Sequence, residues 1–113
     1  MDVPAALALV FRPSIHPYLM SVFSLDPVRS LSDVKQPALV VGGAADLQVF
    51  RADFDALAAA RPDVRSLWLP RMNHVLVDVA DDPADNLAAY ADAERPLSAG
   101  LVDTLAAFLR DAR

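Results

Sequence analysis

The chain has 113 residues, 15 acidic against 10 basic side chains for a net charge of −5, and no cysteine. That length suits one small domain. The charge leaves no basic footprint for nucleic acid, the lack of cysteine excludes disulfides and thiolate metal sites, and apolar stretches such as 37–41 fall far short of the about 20 residues that cross a bilayer.

Residues 1–12 are rich in alanine and leucine, and Ala5, Leu7, Ala8, Leu9, Val10 and Phe11 would fill most of a helix surface. Asp2 stands where an export signal carries positive charge, so the sequence reads as a soluble cytoplasmic polypeptide with no membrane span. Pro13, Pro17 and Pro27 punctuate the next stretch and predict short turns or helices, a lid or connector. A short helical turn over 31–35 leads to Pro37, which as the first residue of a strand costs no ladder hydrogen bond.

Ala38, Leu39, Val40 and Val41 form an unbroken apolar run ended by Gly42 and Gly43. A strand without alternation is covered on both faces, as in parallel sheets. Phe50, Phe54, Leu57 and Ala58 then recur at three- and four-residue spacing and predict a helix over 49–61, ended by Pro62. Val64, Leu67, Trp68 and Leu69 predict a second strand stopped by Pro70, with Trp68 in the core. Segment 81–96 is polar, with Pro83 and Pro96, and reads as irregular surface with a helical turn near 86–90. Asp81, Asp82 and Asp85 lack the glycine and glutamate of a calcium loop and read as a solvated turn. Leu101, Leu105, Phe108 and Leu109 predict an amphipathic helix over 98–110, with Ser98 as its N-cap.

The predicted class is therefore α/β, with a strand–helix–strand–helix unit over 37–113 preceded by a connector over 1–36. Two parallel strands alone expose two edges and an incompletely covered sheet. Either another polypeptide continues the sheet, or the N-terminal segment supplies further strands.

Both strands end in loops that carry chemistry. The first continues Gly42-Gly43-Ala44-Ala45-Asp46, and the second Leu69-Pro70-Arg71-Met72-Asn73-His74. Ligands bind at the carboxyl edge of an open α/β sheet, so both loops emerge on one functional rim. Alone, Asp46 reads as an acid at a helix N-terminus and His74 as an idle loop residue; together at successive strand ends they read as a pair. His16 has no carboxylate at suggestive spacing and reads as structural or exposed. Two histidines without cysteine or a paired-histidine helix give no metal site, and no cofactor is implied. Phe11, Tyr18 and Phe23 read as core packing, with an acyl pocket as the alternative.

These segments resemble the C-terminal part of the α/β-hydrolase superfamily, whose triad runs nucleophile, acid, histidine. PALVVGGAADLQV resembles the strand ending in the triad acid, and LPRMNHVL the loop bearing the histidine. Phe11-Arg12-Pro13-Ser14, Pro17-Tyr18-Leu19 and Asp26-Pro27 resemble the link between lid and core, so residues 1–36 correspond to a lid remnant and connector. The resemblance implies that Asp46 is the triad acid and His74 the general base of an esterase, lipase or peptidase-like enzyme. It departs at Arg71, where relatives often carry a small residue, and in a larger respect. No G-x-S-x-G occurs, and Ser14, Ser21, Ser24, Ser30, Ser32, Ser66 and Ser98 all lack the glycine flanks of a nucleophile elbow.

Two expectations follow. In the first, the chain is the C-terminal portion of a serine hydrolase, inactive alone and partnered by a nucleophile-bearing portion, with a small acyl substrate bound only in the assembled enzyme. In the second, it is a non-catalytic module that self-associates through its open sheet edges.

Overall fold

The computed structural model describes residues 12–112. It is a mixed α/β arrangement built on a two-stranded parallel sheet. A 3₁₀ turn over Pro13–Ile15 leads into α1 (His16–Phe23), and α2 spans Pro27–Asp33. Pro17 sits at the start of α1 and Pro27 at the start of α2, where a missing N–H costs nothing. The Asp26 carboxylate caps α2 by accepting from the Arg29 N–H at 3.0 Å.

Strand β1 (Leu39–Gly43) crosses over through α3 (Arg51–Ala58) to β2 (Arg65–Leu69). The two strands pair in register from Leu39 with Arg65 to Gly43 with Leu69, so both end at the same level. Helix α3 is shorter than its apolar spacing predicts. Phe50 is its exposed N-cap, with the Asp53 carboxylate accepting from the Phe50 N–H at 2.9 Å. Phe54 is the residue α3 buries, and its ring lies 4.9 Å from that of Trp68. Trp68 is half-buried rather than core, and the Arg51 guanidinium lies 4.9 Å from its ring. A Cβ at Gly42 would come within 2.7 Å of both rings, so the glycine gives them room beside β1.

Segment 81–96, expected to be mostly irregular, is largely helical: α4 (Pro83–Ala88) is followed by a 3₁₀ turn over Ala89–Ala91. Asp82 caps α4 through the Ala84 N–H at 3.0 Å. Asp85 is tied to Arg95 at 2.6 Å rather than merely solvated. Helix α5 (Leu101–Asp111) starts after Gly100, whose φ of 83° suits a residue without a Cβ. Ser98 is therefore not its N-cap; it is buried, and its hydroxyl donates to the Asp78 carboxylate.

Leu69, Met72 and Leu101 form one buried cluster, backed by Val41 and Leu67. Val77, Val79 and Ala89 form a second beneath the loop that follows β2. Neither α1 nor α2 buries a residue. Tyr18 and Phe23, expected in a core, are 68% and 75% exposed. Phe11 and the helix expected over 1–12 fall largely outside the described residues. Val34 and Gln36 offer their carbonyls to the Arg61 guanidinium, which ties the connector to the far end of α3. Among the described residues no third strand joins the sheet, and no helix is long and apolar enough to cross a membrane.

Candidate active site

The turn after β1 begins where the backbone must pass close to the other loop. The Ala44 N–H donates to the Leu69 carbonyl at 2.9 Å and the Ala45 N–H to the Met72 carbonyl at 3.1 Å. A Cβ on Gly43 would lie 2.1 Å from that Met72 carbonyl oxygen, so only glycine permits the approach. Asp46 then turns back on its own chain. Its Oδ1 accepts from the Gln48 N–H at 2.7 Å and the Val49 N–H at 3.0 Å, leaving Oδ2 for another donor.

The second loop is a tight hairpin-like excursion. Its base closes through an antiparallel bridge between Met72 and Asp78 and the Val79 N–H to the Arg71 carbonyl, 3.0 Å. Arg71 folds back along this base, and its Nε donates to the Val79 carbonyl at 3.3 Å. The tip is organised by Asn73, 1% exposed, whose Oδ1 accepts from the Val75 N–H at 3.1 Å and the Val77 N–H at 3.4 Å. Leu76 closes the tip at φ 66°, a left-handed conformation that a leucine holds only when its surroundings impose it. The Ser98 N–H donates to the Leu76 carbonyl at 2.8 Å and straps this tip to the segment before α5.

His74 stands on that tip, and its Nδ1 lies 3.0 Å from Asp46 Oδ2. The carboxylate is mostly buried at 12% exposure, while the imidazole is 38% exposed. Burial opposes ionisation of Asp46. The hydrogen bonds from the Gln48 N–H, from His74 and from the Val49 N–H outweigh it, so the carboxyl titrates below its ordinary value. An ionised acceptor at Oδ2 selects the Nδ1–H form of a neutral His74, and Nε2 then becomes the nitrogen able to take a proton. The pair borders a cavity of about 230 Å³ whose lining includes Val40, Gly42, Val49, Phe54 and Trp68. A larger one of about 800 Å³, between Ala44, Arg71 and Asp82, contains neither Asp46 nor His74.

The structure thus brings together the two site residues that the sequence singles out. None of the seven serines is hydrogen-bonded to His74, and among the described residues no three His, Asp or Glu side chains converge as a metal site. Sequence reasoning missed Asn86. It is 6% exposed on α4, accepts from Asn73 Nδ2 at 3.1 Å, and donates from its own Nδ2 to the Ala45 carbonyl at 2.7 Å. An asparagine one turn into a proline-led segment behind an aspartate is the only signal it left.

The chain matches no family model, no curated protein and no solved structure.

Proposed function

We propose that Asp46 and His74 are the acid and general base of a serine-hydrolase triad of the α/β-hydrolase kind, completed by a nucleophile that lies outside these 113 residues. The observation that carries this reading is the 3.0 Å contact from His74 Nδ1 to Asp46 Oδ2, made at the carboxyl ends of two adjacent parallel strands. An acid held by two backbone N–H groups and a base on a constrained tip form the orienting half of such a triad. With Nδ1 bonded to Asp46, Nε2 would accept the proton of an incoming serine hydroxyl as its oxygen attacks an acyl carbon. It would return that proton to the leaving alcohol or amine as the acyl bond breaks, and Asp46 would stabilise the imidazolium in between.

Among the described residues β1 is paired on one side only, and its other edge would give the complementary part a place to dock. The same edge favours the second reading, a self-associating module in which two copies pair their edges across a two-fold axis. The test is coexpression with the polypeptide encoded immediately upstream, followed by a fluorophosphonate probe. The hydrolase reading expects a copurifying G-x-S-x-G segment whose serine is labelled, and labelling that is lost with His74→Ala. A copurified assembly containing only this chain, unlabelled and unaffected by His74→Ala, supports the module instead. On the hydrolase reading the 113-residue chain by itself hydrolyses esters negligibly, because loss of a triad member costs about 10⁴- to 10⁶-fold in turnover.

A further inference from the structure

We infer that Asn86, acting through Asn73, is a positioning residue for the Asp46–His74 pair. The kinetic consequence rests on the proposed function; the geometric one does not. Three elements meet at this amide. Asn86 Nδ2 donates to the carbonyl of Ala45, the residue immediately before Asp46. Its Oδ1 accepts from Asn73 Nδ2, on the residue immediately before His74. Asn73 Oδ1 is in turn occupied by the Val75 and Val77 N–H groups that shape the loop tip. A continuous chain of buried and part-buried hydrogen bonds therefore runs from the peptide beside the acid to the peptide beside the base, and Asn86 is the link supplied by a third element.

Primary amides suit this place because each supplies a donor and an acceptor without charge. Carboxylates would bring acceptors alone, and a buried charge between two loops is costly. Both asparagines are nearly inaccessible, so water does not replace a lost partner cheaply. Helix α4 is itself anchored: Asp82 caps it, Asp85 accepts from the Ala80 N–H at 2.8 Å and pairs with Arg95, and Tyr90 accepts from Gln48 Nε2 at 3.2 Å. The last bond returns to the turn that holds Asp46, so the segment 83–91 grips the acid loop at two points. Without the bridge, the hydrogen bonds left between the two strand-end loops would be those of the Ala44 and Ala45 N–H groups and Asp46–His74 itself, beside the packing of Ala45 against Val77, Val79 and Ala89.

Two variants separate positioning from mere stability. Asn86→Leu removes both halves of the amide at similar volume. Asn73→Asp keeps the oxygen that accepts from Val75 and Val77, but can no longer donate to Asn86. Its remaining oxygen draws the Asn86 amide to flip, which turns the Asn86 oxygen toward the Ala45 carbonyl. The readout is the ring tautomer of His74 in the full chain labelled with ¹⁵N-histidine, measured by magic-angle-spinning NMR at about pH 9, well above the ordinary imidazole range. This method works whatever size of particle the chain forms, and the His74 signals are identified by their loss in His74→Gln. The unsubstituted chain should show the Nδ1–H form, with Nε2 bare. In both variants that form should fall by at least half in favour of Nε2–H while the far-ultraviolet circular dichroism stays folded; should Asn86→Leu fail to fold, Asn73→Asp decides alone. In an assembled hydrolase, Asn86→Leu should lower kcat about 100-fold with KM little changed, the scale of a misplacement of about 1 Å. Retention of the Nδ1–H form in the folded variants overturns the positioning role and leaves the acid–base reading intact. Its absence from the unsubstituted chain removes the pair itself, and both readings with it.

Discussion

In α1 the large apolar side chains Tyr18, Met20 and Phe23 stand 68%, 73% and 75% exposed, while between β1 and α5 a few residues such as Met72 and Leu101 are almost fully enclosed. Both regions have short elements and proline starts, so secondary structure does not separate them. Partners do. The segment from β1 onward encloses two small clusters and a buried amide bridge, although Phe50, Leu87 and Leu109 remain mostly exposed. The helices before it form locally through caps and turns; α2 lies against α3, whereas α1 has little among the described residues to lay its apolar face on. A site can thus be well formed beside a helix whose own apolar side chains are little buried.

Substitutions in each region test this contrast. The largest effect is expected at Gly43, where an added methyl would meet the Met72 carbonyl at 2.1 Å. Gly43→Ala should cost about 3 kcal/mol or more in urea unfolding, since backbone on both sides cannot yield cheaply. A loss under about 1 kcal/mol would mean that the two loops are not held as close as described. Next comes Asn73→Ala, which strips partners from two N–H groups and from Asn86. About 2–3 kcal/mol should be lost by the same measurement, in the range of unsatisfied buried polar groups.

Acid titration should have a smaller and signed effect. Asp85 is held at about 2, first by the hydrogen bond from Arg95 and then by the Ala80 N–H, and Asp46 is also lowered. Both carboxyls bind protons less readily folded than unfolded, so their stabilising contribution is complete above about pH 5 and is lost as the pH falls through their folded values, which for Asp85 is about 2. Arg95→Gln should bring Asp85 back toward the ordinary range and flatten that acid limb of the unfolding profile, while the part due to Asp46 remains. An unchanged slope would show that the Arg95 contact is not maintained in solution. The smallest effect is expected in the helices: Phe23→Ser should move the unfolding free energy by no more than about 0.5 kcal/mol. A loss of several kcal/mol would show that Phe23 is packed, and would erase the difference between the two regions.

Much of the body was legible because its signals are local. The unbroken run Leu39, Val40 and Val41 and the spacing of Phe54 and Leu57 give a strand and a helix by period alone. The interval from Asp46 to His74, one helix and one strand, brings two successive strand ends together. What stayed hidden depends on contacts distant in sequence. Asn86 is an ordinary helix residue until Ala45 and Asn73 are beside it. Ser98 has the look of an N-cap, but Asp78 takes its hydroxyl, and Gly100 in the left-handed region sets the start of α5 two residues later. Tyr18 and Phe23 carry the composition of a core, but among the described residues little packs against them. Periodicity reports which face is apolar; it does not report what lies against it.

The proposed proton transfer at His74, directed by Asp46, is tested by acyl-ester hydrolysis with this chain assembled with the nucleophile-bearing partner that the proposal requires. His74→Ala should abolish turnover, and Asp46→Asn, which keeps the shape but favours the wrong tautomer, should lower kcat by about 10⁴-fold. Turnover that survives both substitutions within about tenfold would contradict the claim and leave Asp46 and His74 a structural contact at the end of a sheet.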